Sequence, residues 1–268
     1  MQVIAVTGGK GGVGKTNVAV NLSSALSKAG KDVVLLDADL GMANVDVVMG
    51  LNLEFTLADV VSGNKTVGEV VVKSECGVRV IPAASGIPLM TELTSEMRAS
   101  IIYGISSHIN PPDILIVDTG AGIDETVQTF VSACQQAIVV VCDEPASLTD
   151  AYALIKVLRL KKEYKEFQVV VNHADSPVQA KKLFERLSSV TEKHLDTRLS
   201  YLGAVPQDQY LRRAVQERRP LLTAYPRSPA SLAITDIAGR ILKGGITNSA
   251  SGLTFFFEQL LDIQADRV

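Results

Sequence analysis

The sequence predicts a doubly wound α/β fold, with a mainly parallel sheet of about seven or eight strands and helices on both faces. Short Val- and Ile-rich runs carry that prediction: VIAV (3–6), VVLL (33–36), VRVIP (78–82), ILIV (114–117), AIVVV (137–141), QVVV (168–171) and YLGAV (201–205). Their hydrophobicity is continuous rather than alternating, as strands covered on both faces require. Helical spacing fills the gaps between them. After the first strand, Val18, Leu22, Ala25, Leu26 and Ala29 form a crossover helix, and Gly30 stands where a C-terminal cap belongs. Similar patterns run through Thr94 to Ile109, Leu148 to Leu160, Ser176 to Leu187 and Ser231 to Leu242.

No shift in composition interrupts residues 1–243, which read as a single domain. The stretch GGITNSASG (244–252) reads as a flexible linker, and 253–268 as an amphipathic tail helix. In that tail Leu253, Phe256, Phe257, Leu260 and Leu261 share one face, with Thr254, Glu258, Gln259 and Asp262 largely opposite. Such a helix either docks on its own domain or a partner, or touches a membrane surface through Leu253 to Ile263. Interfacial helices usually meet anionic lipid with Lys or Arg, whereas this polar face carries Glu258 and Asp262.

Apolar residues make up 47% of the chain, enough for a sizeable core, and a net charge of −3 does not mark a nucleic-acid binder. The basic clusters, Lys156 to Lys165, Lys181/Lys182 and Arg212, Arg213, Arg218, Arg219, read as solvated helix faces or a partner-binding surface. Cys76, Cys134 and Cys142 show no disulfide or metal spacing, so buried thiols in a reducing compartment are expected. VIAV has no basic segment before it and Gly8 and Gly9 directly after, unlike a signal peptide, and no run reaches the roughly 20 apolar residues of a membrane span. A cytoplasmic protein is expected, peripheral at the inner face of the membrane or the cell pole if the tail binds lipid.

The segment Gly9-Lys10-Gly11-Gly12-Val13-Gly14-Lys15-Thr16 satisfies GxxxxGK[ST], between a strand and a helix. This is a P-loop. Its glycines let backbone N–H groups turn inward at a helix N-terminus, where the dipole also favours phosphate. Gly9, Gly11, Gly12, Val13, Gly14, Lys15, Thr16 and Asn17 are therefore candidate ATP-binding residues, with Lys15 against the β- and γ-phosphates and the Thr16 hydroxyl on Mg²⁺. Ligands of parallel sheets sit at the carboxyl ends of strands, where Asp37 and Asp39 follow VVLL and Asp118 follows ILIV. Asp37 and Asp118 are candidates for the metal side, and Asp39 for orienting the attacking water.

Lys10, five residues before Lys15, makes the loop GGKGGVGKT, which resembles the deviant Walker A box of the MinD/ParA (SIMIBI-class) ATPases. The resemblance implies that Lys10 reaches the partner's phosphates in an ATP-bound homodimer, acting in catalysis with Lys15 and Asp39. It covers roughly residues 2–240. DADLGMANVDVVMG (37–50) is similar to switch I, with Asn44 implied at a dimer contact; DTGAGID (118–124) is similar to switch II, although many relatives have Ala or Pro at Gly120. Ser147 and Asp150 in CDEPASLTDAYALIK match interface positions, and Asn172, Pro206 and Asp208 match positions that hold adenine. VIPAASG, YPRSPASLA and the aromatic tail most resemble the FlhG/FleN branch, regulators of flagellar number and placement. That branch implies a FlhF-type GTPase, a flagellar C-ring protein or a FleQ-type transcriptional activator as partner.

Other functions fit less well. A MinD/ParA-type positioning or partition ATPase for a division site or DNA cargo shares the nucleotide residues, but DNA carriage calls for a dedicated basic surface. A nitrogenase-like redox ATPase needs two cluster cysteines, and only Cys134 lies near switch II. No acceptor pocket for a kinase or synthetase is evident.

Overall fold

The protein is described by a computed structural model over residues 1–39, 44–82, 110–244 and 253–262. Its sheet has eight strands: β1 (Gln2–Gly8), β2 (Val33–Ala38), β3 (Val72–Lys73), β4 (Arg79–Ile81), β5 (Ile114–Ala121), β6 (Gln136–Val141), β7 (Phe167–Ala174) and β8 (Ser200–Pro206). The order is β3-β4-β2-β5-β1-β6-β7-β8. All neighbours are parallel except β3 and β4. The seven expected runs are the seven parallel strands. Two-residue β3 escaped prediction because so short an edge strand has no period to read.

Successive residues of each strand enter different cores. Val3, Ala5, Leu115, Val117, Val139 and Val141 face one side of the sheet. Ile4, Val6, Ile114, Ile116, Ile138 and Val140 face the other. Both sets are buried, which is why the runs are continuous. The first face is covered by α5 (Glu125–Ser132), α6 (Pro145–Lys162) and α7 (Pro177–Leu195), through Phe130, Leu154, Leu158, Leu183 and Leu187. The second is covered by α1 (Lys15–Lys28) and α10 (Pro229–Lys243), through Val18, Leu22, Leu26, Ile234, Ile237 and Ile241.

Short helices join these among the described residues: α2 (Val45–Met49), α3 (Leu57–Val61), α4 (Val67–Val70), α8 (Gln209–Gln216) and α9 (Leu221–Ala224). These one- and two-turn helices rest on local caps and docking rather than a long apolar stripe. Thr56 accepts from Ala58 N at 3.2 Å while Thr56 N donates to Asp59 at 2.8 Å. The helical pattern expected at Thr94 to Ile109 lies outside the described residues, as do 245–252 of the linker.

The tail forms α11 (Leu253–Asp262) and docks on its own domain. Phe256 and Leu260, one turn apart, are each 1% exposed and join the core beside Val3, Ala133 and Cys134. Phe255 is 43% exposed. The side chains of Leu253, Phe257 and Leu261 and residues 263–268 lie outside the described set. The docking place is the amino end of β1, opposite the loop that follows Gly8. Among the described residues no helix is long and apolar enough to cross a membrane.

Candidate functional site

Strand order decides where chemistry can gather. β1 lies between β5 and β6, with β2 beyond β5, so the turn after β1 opens beside the carboxyl ends of β5 and β2. Across those strands Asp118 pairs with Val6 on one side and Asp37 on the other. The loop then enters α1 through Gly14, whose φ of 90° and ψ of 27° are left-handed. A Cβ there would also stand 2.2 Å from Asn172 Nδ2. That same nitrogen donates to Val13 O at 2.8 Å, tying the loop to β7. At Gly9 a Cβ would fall 2.2 Å from the Asp150 backbone, so glycine permits close contact with α6. Gly11 and Gly12 are exposed, and α1 has no side-chain cap at its N-terminus. Its first N–H groups are arranged for an anion.

Beneath the loop lies a compact charge cluster. Lys15 is only 7% exposed; burial holds its ammonium below the usual lysine range, against the attraction of Asp118 and Asp39. Asp118 is pushed up to about 8, first by burial and then by repulsion from Asp37, while the Thr16 hydroxyl bond and Lys15 pull it down. Burial likewise pushes Asp37 up to about 6, against N–H groups of Asp39, Val45 and Asn44. Asp39 N donates to Asp37 Oδ1 at 3.1 Å and Val45 N to Oδ2 at 3.3 Å.

Asp118 Oδ1 is buried without a hydrogen-bond partner. Two adjoining buried carboxylates, an orphaned oxygen and a hydroxyl suit a hard divalent cation. Among the described residues no three His, Cys, Asp or Glu side chains converge as a cage. The donor set therefore fits an ion such as Mg²⁺, which keeps waters and phosphate oxygens, rather than one fully enclosed by protein.

The raised carboxyls make a prediction for the protein free of nucleotide and metal. Folded Asp118 holds a proton that the unfolded chain releases near pH 4, so stability is greatest on the acid side. It falls as pH rises through about 6 and then about 8, the folded values of Asp37 and Asp118. Thermal unfolding against pH should show that decline, and Asp118→Asn should remove most of it. An unchanged slope in Asp118→Asn contradicts the assignment.

The remaining candidates divide between the loop mouth and the interior. Lys10 is half-exposed and forms an ion pair with Glu144, whose hydrogen bond raises the lysine's pKa. The Asp39 carboxylate lies over Gly120, where an added Cβ would be 3.6 Å from Oδ1; an alanine there makes only ordinary contact. Asn44 is exposed at the start of α2, and Asp150 is partly exposed beside Gly9. Ser147 is different: it is 1% exposed and its hydroxyl accepts from Cys142 N at 3.1 Å. Within the single chain it closes the turn after β6 from inside.

Beside α1 a cavity of about 790 Å³ is lined by Asn17, His173, Gln207, Asp208, Leu211 and Arg212 among others. Its size suits a base and sugar. Asn17 Oδ1, in the lining, is buried without a hydrogen-bond partner and can accept from an amino group of a base; Asn172 Oδ1 is likewise unpartnered, but that side chain lies against Gly14 and Val13 and is not part of the lining. Asp208 lines the cavity with both oxygens committed, to Tyr210 N at 2.8 Å and Ala230 N at 2.9 Å. It shapes the wall, just after Pro206 at the end of β8. Sequence reasoning missed Glu144 and His173. Glu144 follows the end of β6 by three residues, and His173 lies within β7 two residues past the apolar run, with a left-handed φ of 54°.

Comparison with known proteins agrees with this geometry. The profile of the CobQ/CobB/MinD/ParA nucleotide binding domain matches residues 4–221. The antiactivator FleN of Pseudomonas aeruginosa is 48% identical over 262 residues, covering 97% of this chain and 94% of that protein. The flagellum site-determining protein YlxH of Helicobacter pylori is 33% identical, covering 97% and 90%. The septum site-determining protein MinD complexed with Mg-ADP, from Pyrococcus horikoshii, superposes with a TM-score of 0.72 at 25% identity, covering 93% and 99%. The chain belongs to the CobQ/CobB/MinD/ParA nucleotide-binding family, among its ATP-binding MinD/ParA members.

Proposed function

We propose that the protein is a Mg-ATP-dependent dimerising switch that regulates flagellar number or placement through a partner protein. The observation that carries the switch is the position of Lys10. Lys15 already stands buried beneath the loop, whereas Lys10 is half-exposed and turned to Glu144 at the rim. A cation there is placed to meet phosphate charge on a second subunit, which gives ATP a reason to favour two subunits over one. The flagellar role is supported by the likeness to FleN and YlxH. An antiactivator's counterpart is a transcriptional activator, so a FleQ-type protein is the first partner to test.

Bound Mg²⁺ would supply counter-charge to the phosphates, and Asp37 and Asp118 are the buried carboxylates that would be on its side. Loop N–H groups and Lys15 would hold the phosphates, Thr16, Asp37 and Asp118 would hold the metal side, and Asp39 would orient the attacking water. Lys10→Ala is expected to keep ATP affinity within about threefold, because the exposed Glu144 pair contributes little, while losing the ATP-induced dimer. Nucleotide titration and light scattering measure the two effects. A Lys10→Ala protein that still dimerises sinks the proposed coupling.

The tail would be a reversible membrane contact in a cytoplasmic protein. Release must first expose Phe256 and Leu260, at about 1.5–3 kcal/mol per side chain, so lipid binding needs a second bias such as dimerisation. Removing residues 253–268 should abolish ATP-dependent sedimentation with liposomes. Unchanged sedimentation would exclude the tail as anchor.

A further inference from the structure

Away from the loop, α8, α9 and the start of α10 enclose a cleft of about 360 Å³. Tyr210 and Tyr225 form its aromatic wall, with ring centroids 5.0 Å apart and planes tilted by 40°. Pro226 and Pro229 complete it, and Arg227 stands at the edge. The Arg213 guanidinium lies 5.6 Å over the Tyr210 ring. Pro226, Arg227, Pro229 and Arg213 are exposed.

The surrounding charge is one-sided, although the chain as a whole carries −3. Arg213, Arg218 and Arg227 are exposed between the start of α8 and the start of α10, while Arg219 pairs with Glu75 at 3.6 Å and Arg212 lines the 790 Å³ cavity. Of the carboxylates beside the cleft, Asp208 accepts from backbone N–H groups and Glu217 from the Tyr225 hydroxyl at 2.6 Å. The walls are also fixed in advance. Asp208 joins α8 to α10, the Ser231 hydroxyl donates to Tyr225 O at 2.7 Å, and Ser228 N donates to the same oxygen at 3.1 Å. A preformed cleft loses little entropy when filled.

We propose that this cleft is a docking surface for an acidic, proline-bearing peptide segment of another protein. Paired aromatic rings and prolines make the shallow apolar slot that an extended proline segment fills. Arginine forks at its edges suit flanking carboxylates. A nucleic-acid base fits less well, because the tyrosine rings lie against each other instead of offering parallel faces. The cleft is distinct from the nucleotide cavity but shares α8 with it: Leu211, Arg212 and Val215 turn to the 790 Å³ cavity and Tyr210 to the cleft, while Asp208 borders the one and braces the other.

The test is an array of glutamate-rich peptides with proline, tyrosine, leucine or alanine at the centre, beside the same peptides with lysine for glutamate, probed with the full chain. Proline-centred acidic peptides should be retained and their lysine counterparts should not. For the best of them, fluorescence anisotropy should show at least a tenfold loss with Arg213→Glu/Arg227→Glu, and a loss with Tyr225→Leu, at unchanged melting temperature. The double charge reversal sits on exposed positions and keeps the test valid if the tyrosine variant unfolds. Equal retention of acidic and lysine peptides overturns the proposal, as does binding that survives charge reversal. So does binding of single-stranded DNA or phosphatidylglycerol vesicles through these arginines with no acidic peptide retained.

Discussion

Lys15→Ala is expected to lower nucleotide affinity between roughly thirtyfold and several thousandfold. Truncating one partner of a buried, hydrogen-bonded charge pair costs about 2–5 kcal/mol, with about 1.4 kcal/mol per factor of ten. The bound phosphate would complete such a pair: Lys15 is 7% exposed, with Asp118 and Asp39 attracting it from a distance. Its loss leaves two buried carboxylates and the incoming phosphates without their local cation. The fold itself should survive, since removing a desolvated ammonium also removes its burial cost. Isothermal titration with Mg-ATP checks the number. Affinity retained within threefold would show that the loop N–H groups suffice and that Lys15 has been given too large a share.

Asp39→Ala is expected to slow hydrolysis by about 10²–10⁴, the span that a positioned proton acceptor contributes, while ATP affinity changes only a few-fold. The separation follows from where Asp39 stands. Its side chain lies over Gly120 and is less buried than the Asp37–Asp118 pair, on which its charge is a lesser influence than burial. Its contact with Asp37 is made by the backbone N–H, which alanine keeps. Single-turnover phosphate release with saturating Mg-ATP measures the rate. An unaltered rate would remove Asp39 from the reaction.

Much of this was legible in the sequence because the signals were local. The P-loop is one contiguous segment between strand and helix, and seven strands announced themselves through runs buried on both faces. What was hidden depends on tertiary neighbours. No pattern in residues 8–16 says that Gly9 must touch the Asp150 backbone or that Gly14 faces Asn172. Glu144 pairs with Lys10 across 134 positions of sequence. The inward placement of Ser147 follows from a hydrogen bond that closes a turn, which spacing cannot distinguish from a surface serine. The tail was ambiguous for the same reason: one apolar face fits protein or lipid equally, and only the core residues beside Val3 show what receives Phe256 and Leu260.

The coupling of ATP to assembly is the centre of the account, and the mass of Asp39→Ala in saturating Mg-ATP tests it most directly. Slow hydrolysis should trap the ATP-bound form, so light scattering is expected to give twice the mass of the 28.6 kDa chain, falling back to one chain with ADP. Asp39→Ala that binds Mg-ATP fully and remains a single chain would contradict the switch.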